Sequence, residues 1–204
     1  MLDRLNHLTR GEAILTTDVG QHQMWAAQFC LSRSNRHWIS SGGAGTMGFG
    51  FPAAIGAQFA NPKKKVWAIV GDGGFQMTQA ELATAQIHRL PVKCLIINNN
   101  YLGMVRQWQE MFYENRQSGV DLVGNPDFVK LAEAYGTKAW RIKRAADVDR
   151  VLRRAQEYDE GPCVVVAEVV KEDNVFPMIP AGAAVHEMLI EPPRRKLEKP
   201  EGST

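Results

Sequence analysis

The stretch Val66–Met104, VWAIVGDGGFQMTQAELATAQIHRLPVKCLIINNNYLGM, restricts the fold more than any other part of the chain. An apolar run (Val66–Val70) stops at Gly71-Asp72-Gly73, a helical pattern follows, and a second apolar run (Cys94–Ile97) stops at Asn98-Asn99-Asn100. Strand, helix and strand make one βαβ unit, which leaves both strands parallel with their carboxyl ends on one edge. Ligands of open α/β sheets bind at that edge. Here it carries the Asp72 carboxylate, the Asn99 amide oxygen and, just after, the Tyr101 carbonyl. A hard cation such as Mg²⁺ takes oxygen ligands of this kind and fills its other octahedral positions from phosphate and water. Gly71, Gly73 and Gly74 let the backbone approach a diphosphate without a Cβ in the way, and a helix starting near Phe75 turns its first amides toward it. Ala80, Ala83 and Ile87 recur at helical spacing and are the expected core face of that helix.

The rest of the chain repeats the same alternation. Met1–Gly11 is polar and reads as a short helix or linker, and Ala13–Thr17 as a strand. Gln21 and His22 then open a helix at the end of that strand, where donors face the same edge. Trp38–Ser41 reads as a short strand, and the Gly-rich run Gly42–Gly50 leads into a helix through Ala53, Ala54, Ala57 and Ala60. Gly43, Gly45 and Gly48 loosely match a dinucleotide-binding fingerprint, but no acidic residue stands about twenty positions on, and that reading is rejected. After Asn100, the residues Met104, Val105, Trp108, Met111 and Phe112 form a helical stripe. Its first members are expected to line a pocket and its far end to pack in the core. Tyr113–Gly124 is polar and turn-rich, a candidate mobile loop. Asn125-Pro126 is the expected cap and first position of a helix with Phe128, Leu131, Ala132 and Tyr135 inward and Gly136 at its end. Lys138–Ile142 reads as a strand, Ala146–Glu157 as a helix with Val148, Val151, Leu152 and Ala155 inward, and Cys163–Val170 as a buried strand. The pattern predicts an α/β fold over residues 1–191, a mainly parallel sheet with helices on both faces. Residues 192–204 form a Pro-rich, charged tail with little to bury.

Composition narrows the function classes. With 204 residues, 45% of them hydrophobic, the chain can build a substantial core. A net charge of +2 points to neither nucleic acid nor a membrane surface. Lys63-Lys64-Lys65 follows Asn61-Pro62 as a solvated turn. Cys30, Cys94 and Cys163 are scattered and unpaired, as expected of buried reduced thiols in an intracellular protein. No signal peptide or twenty-residue apolar span is present in the sequence.

Gly71-Asp72-Gly73 and Asn98-Asn99, with 24 residues between Gly73 and Asn98, resemble the paired signature of thiamine-diphosphate (ThDP) enzymes. Four longer strings are more restrictive: TTDVGQHQMWAAQ (Thr16–Gln28), SGGAGTMGFGFPAAIGAQ (Ser41–Gln58), GDGGFQM (Gly71–Met77) and NNNYLGMVRQWQ (Asn98–Gln109). They resemble the C-terminal, diphosphate-binding third of the catalytic subunit of acetohydroxyacid synthase, also called acetolactate synthase. The resemblance implies that Asp72 and Asn99 bind Mg²⁺ through side chains and Tyr101 through its carbonyl. It implies that Gln21 and His22, with backbone near Gly71, Gly73 and Gly74, hold the diphosphate. Gly45 and Met47 would meet the aminopyrimidine, with Met47 keeping the cofactor bent, and Gly103 and Met104 would be further cofactor neighbours. Val105 and Trp108 would shape the pocket for the second keto acid. Gly74 stands where relatives often carry Ser or Ala. The implied reaction decarboxylates pyruvate and joins the remaining two-carbon unit to pyruvate or 2-ketobutyrate, in branched-chain amino acid biosynthesis. No catalytic residue is assigned in this chain. The activating glutamate is expected from an N-terminal domain of a partner subunit, and FAD from a middle domain outside this sequence.

The resemblance further implies a homo-oligomer or an assembly with the upstream portion, a possible regulatory subunit, and a cytoplasmic or plastid-stromal setting. Weak Mg²⁺–ThDP binding and weak or no activity are expected of the chain alone. Rival readings are another ThDP-dependent 2-keto acid decarboxylase, oxidase or carboligase, a β subunit of a ferredoxin-linked oxidoreductase, and a non-catalytic assembly module. The QHQMW and QWQ strings favour the synthase, and the lack of paired cysteines disfavours the ferredoxin-linked enzyme.

Overall fold

The computed structural model describes residues 1–191; the Pro-rich tail from Pro192 lies outside the described residues. Its strands are β1 (Ile14–Thr17), β2 (Trp38–Ser40), β3 (Val66–Gly71), β4 (Lys93–Asn98), β5 (Lys138–Ile142) and β6 (Cys163–Glu168). They form one sheet in the order β2-β1-β3-β4-β6-β5, and every neighbouring pair is parallel. The helices are α1 (Leu2–Thr9), α2 (Gln21–Phe29), α3 (Gly50–Ala60), α4 (Asp72–Thr78), α5 (Leu82–Ile87), α6 (Gly103–Phe112), α7 (Phe128–Ala134) and α8 (Val148–Glu157). None of these helices is long and apolar enough to cross a membrane.

The strand period of two divides the core. Val66, Ala68 and Val70 of β3 point to one face with Phe51, Phe75, Leu82 and Phe128 from α3, α4, α5 and α7. Trp67 and Ile69 point to the other, with Leu5, Ala26 and Leu152 from α1, α2 and α8. Both faces are covered, which is why the central strands read as unbroken apolar runs. From β1 the chain moves outward to β2, whereas from β3 it moves the opposite way to β4. The β1/β3 boundary is therefore a topological switch point, where a crevice opens at the carboxyl ends.

Several local expectations are corrected. The helix after β3 begins at Asp72, three residues earlier than expected, and a 3-10 turn over Gln79–Glu81 splits it from α5. That turn shifts the helical phase. Ala80 and Ile87 are exposed, Ala83 is half-buried, and Phe75, Leu82 and Ala85 carry the core face instead. On α6 the far end of the stripe does not pack in the core: Phe112 is exposed, while Met104, Val105 and Trp108 border open space beside the sheet edge and the polar Arg106 and Gln107 are buried instead. The cap of α7 is Asp127, whose carboxylate accepts from the Val129 and Lys130 N–H groups, so Asn125 is free for another contact. β6 ends at Glu168, short of the expected Val170, which is exposed. The second half of the loop after α6 pairs back on the turn after β4, through Leu102 N–H to the Val120 carbonyl (2.8 Å) and Leu122 N–H to the Asn100 carbonyl (2.9 Å).

Candidate functional site

At the switch point three strand–helix turns enclose a narrow cavity of about 50 Å³. The β1–α2 turn contributes Gln21 and His22, and the β3–α4 turn contributes Gly71, Asp72, Gly73 and Gly74. The β4–α6 turn contributes Asn99, Tyr101, Gly103, Met104 and Val105, and Met47 reaches in from the Gly-rich loop. Register explains the convergence: Gly71 pairs with Ile97, so the chain leaves β3 and β4 side by side. Two predicted residues lie elsewhere. Gly45 sits on an exposed part of the Gly-rich loop and does not line the cavity. Trp108 borders an adjoining open cleft of about 580 Å³, which shares Met104 and Val105 with the cavity.

Asp72 is 2% exposed, and its Oδ2 accepts from Asn125 Nδ2 at 2.7 Å. Burial pushes its carboxyl up to about 6, and the Asn125 amide and nearby backbone N–H groups oppose only part of that rise. Asn99 is also buried; its Nδ2 donates to Gln21 Oε1 (3.2 Å) and its Oδ1 accepts from the Tyr101 N–H (3.1 Å). Among the described residues no group of three His, Cys, Asp or Glu side chains could hold a metal. An ion at Asp72 and Asn99 would therefore need oxygens from a bound molecule to complete its shell.

His22 supplies the second part of the chemistry. Burial lowers its ring to about 4, against a weaker opposing pull from the Asp18 carboxylate. The imidazole is therefore neutral at pH 7, and its buried Nε2 has no hydrogen-bond partner. The ring lies against Gly71, where an added Cβ would stand 2.7 Å from Cε1 and Nδ1. An unpartnered buried nitrogen beside glycine backbone and a buried carboxylate fits a phosphate oxygen accompanied by a cation. Gln21 is differently employed. Its Nε2 donates to Gln107 Oε1 (3.0 Å) and to the Asp173 carbonyl (2.8 Å), so both amide hydrogens are engaged within the protein.

Three residues at the site escaped the sequence reading. Asp18, at the end of β1, accepts from the Val19 and Gly48 N–H groups through Oδ1 (2.8 and 3.0 Å) and from Gly50 N–H through Oδ2 (2.9 Å). It pins the Gly-rich loop to the sheet and so sets Met47 beside the cavity. A Cβ at Gly74 would collide with this carboxylate, which gives that glycine its reason. Gln107 joins Gln21 to Val175, accepting from Val175 N–H (2.8 Å) and donating to its carbonyl (2.9 Å). Asn125, distant in sequence, reaches Asp72. The aspartate's place at a strand end was a usable signal; the two amides offered none.

Comparison with known proteins bears on this arrangement. Residues 18–167 match the family model described as thiamine pyrophosphate enzyme, C-terminal TPP binding domain. The chain is 47% identical over 192 residues to an acetolactate synthase of Mycobacterium leprae, covering 92% of this chain and 31% of that protein. It is also 47% identical over 188 residues to an acetolactate synthase large subunit of Lactococcus lactis, covering 91% of this chain and 32% of that one. The chain thus spans about a third of the length of these relatives. The matched stretch runs from Asp18 to Ala167 and contains all three turns of the cavity, and on that basis the chain belongs to the thiamine pyrophosphate enzyme family as a C-terminal TPP-binding domain.

Proposed function

We infer that this chain supplies the Mg²⁺ and ThDP diphosphate site of an acetolactate synthase, which decarboxylates pyruvate and joins the two-carbon remainder to a second 2-keto acid. The observation that carries the reading is the charge inventory of the cavity. Among the described residues Asp72 is its only formal charge, is buried, and stands with the neutral oxygen donor Asn99 and the unpartnered His22 Nε2. A diphosphate cannot enter beside a bare carboxylate without a cation between them. Among the described residues no lysine or arginine lines the cavity to serve that purpose.

In this reading Asp72, Asn99 and the Tyr101 carbonyl hold Mg²⁺. His22 donates to a phosphate oxygen, aided by the amides of Gly73 and Gly74 at the start of α4. Gln21 acts on Asn99, accepting from its Nδ2 so that Oδ1 is directed to the ion. Met47 and Met104 are apolar walls for the cofactor's organic part, and Val105 and Trp108 border the cleft where a keto acid would sit. Bound ThDP supplies the electron sink on which 2-keto acid decarboxylation and carboligation depend. The chain's own residues contribute position and a water-poor electrostatic setting. The relatives' printed names support the carboligase over other ThDP chemistries. Calorimetric titration with ThDP tests the site directly. Binding is expected with Mg²⁺, and its loss is expected in EDTA or in Asp72→Ala; equal binding in all three conditions would overturn the reading.

A further inference from the structure

Asn125 belongs to no helix and caps none, yet it is held from four directions. Its Nδ2 lies 2.7 Å from Asp72 Oδ2, 3.2 Å from Asn100 Oδ1 and 3.4 Å from Asn98 Oδ1. Its Oδ1 accepts from Gln76 Nε2 on α4. The amide cannot be turned over without facing its oxygen to a carboxylate, which only accepts when ionised. Backbone pairing fixes the segment that carries it: Leu122 N–H donates to the Asn100 carbonyl and Asn125 N–H to the Leu122 carbonyl, each at 2.9 Å. One oxygen of Asp72 is thus occupied by a short, well-anchored hydrogen bond; among the described residues no other side chain donates to the carboxylate, which otherwise meets only backbone N–H groups such as those of Gly73 and Asn100.

We propose that Asn125 is a positioning residue that sets the ion selectivity of this site, by holding Asp72 Oδ2 so that the carboxylate offers a divalent cation one oxygen rather than two. Mg²⁺ demands near-ideal octahedral geometry with single-oxygen contacts, whereas Ca²⁺ accepts seven or eight oxygens and bidentate carboxylates. A pinned carboxylate suits the smaller ion and deprives the larger of its preferred contact. Outer partners that orient a ligand commonly change metal affinity by about 10- to 100-fold when removed. The effect here is directional, because loss of the amide removes the only described side chain that holds Oδ2 and leaves the carboxylate freer to turn and chelate.

The proposal rests on the Mg²⁺–ThDP reading above, and its test separates the two. Full-length wild type, Asn125→Ala and Gln76→Ala are titrated calorimetrically with ThDP at fixed MgCl₂ or CaCl₂. Leu122→Ala is the control, since Leu122 lies on the same segment and its apolar side chain reaches toward Gly73 and can make no hydrogen bond to the amide. Wild type should prefer Mg²⁺. Asn125→Ala should weaken Mg²⁺-supported binding about tenfold or more and Ca²⁺-supported binding less than about threefold, and Gln76→Ala should move the ratio the same way by a smaller factor. Leu122→Ala should lower both together. Equal losses in Asn125→Ala, or a wild type indifferent to the ion, would overturn the selectivity role and leave the site standing. No ion-dependent ThDP binding by wild type would overturn the site reading and this role with it. Binding is read directly, so the result does not depend on turnover.

Discussion

The Asp72 carboxylate sits at 2% exposure with the Asn125 amide on one oxygen and, among the described residues, no basic side chain lining the cavity. Its folded-state value of about 6 lies above the ordinary 3.8, so between those two values the native chain binds more protons than the unfolded one. Stability contributed at this position therefore falls as pH rises from about 4 to about 6, and the penalty is complete above that window. Two units correspond to about 3 kcal/mol at most. Asp72→Asn keeps an oxygen for Asn125 and removes the charge. In EDTA, urea unfolding should show the variant more stable than wild type by up to about 3 kcal/mol at pH 8, with the difference closing near pH 3.5. With Mg²⁺ and ThDP added, wild type alone should gain stability. Equal stabilities of the two proteins in EDTA at pH 8 would show that burial does not strain this carboxylate.

Among the elements, α6 inverts the usual relation between hydropathy and burial. Its apolar stripe faces outward onto the open cleft, with Trp108 edge-on to Phe112 at 6.2 Å between centroids. Its inward face carries Arg106, bonded to Glu110 (2.8 Å), to the Glu172 carbonyl (3.0 Å) and to Asn174, and Gln107, bonded to Val175. These side chains fasten the segment after β6 across the helix. Arg106→Ala would empty a buried site and take the donor from the part-buried Glu172 carbonyl and Asn174 oxygen, while Glu110 keeps its bond from Asn174 Nδ2, a loss of roughly 2 kcal/mol. Trp108→Ala removes a side chain that is 39% exposed and whose packing partner Phe112 is itself at the surface, and should cost less, about 1 kcal/mol or under. Urea midpoints that ranked the tryptophan as the larger loss would contradict this assignment of faces. The same helix marks how far the sequence could be read. Strand runs such as Val66–Val70 and Val164–Ala167 were legible because burial on both faces leaves an unbroken apolar signal. The turns carrying Asp72 and Asn99 were legible because glycine and asparagine punctuate strand ends. Arg106, Gln107 and Asn125 were not, because their partners lie 65 or more residues away (Gln107 to Gln21 and Val175) or across a loop, and polar burial is decided by those partners. Phase was lost at α5 for a related reason, since a 3-10 turn of three residues resets the helical period without any proline or glycine to announce it.

For the whole molecule, the question is what a third of the relatives' length can accomplish alone. The cavity holds the ion and phosphate end in the proposed reading, and its Asp72 and His22 are both committed there. No glutamate lines either the cavity or the adjoining cleft, so the described part of the chain presents no spare carboxylic acid to move a proton on the cofactor's organic part. Positioned acid–base catalysis is commonly worth about 10²- to 10⁴-fold in rate. The cleft beside Val105 and Trp108 is open to solvent, and apolar surface of that kind is where further protein would close a pocket. The chain is therefore expected to bind Mg²⁺–ThDP yet form acetolactate from pyruvate at least about 100-fold more slowly than when combined with the upstream two-thirds of a relative such as the Lactococcus lactis large subunit. A colorimetric acetolactate assay on the chain alone, the upstream part alone and the mixture makes the comparison. Robust turnover by the chain alone would require an acid–base group within these 204 residues and would send the search for it back to this cavity.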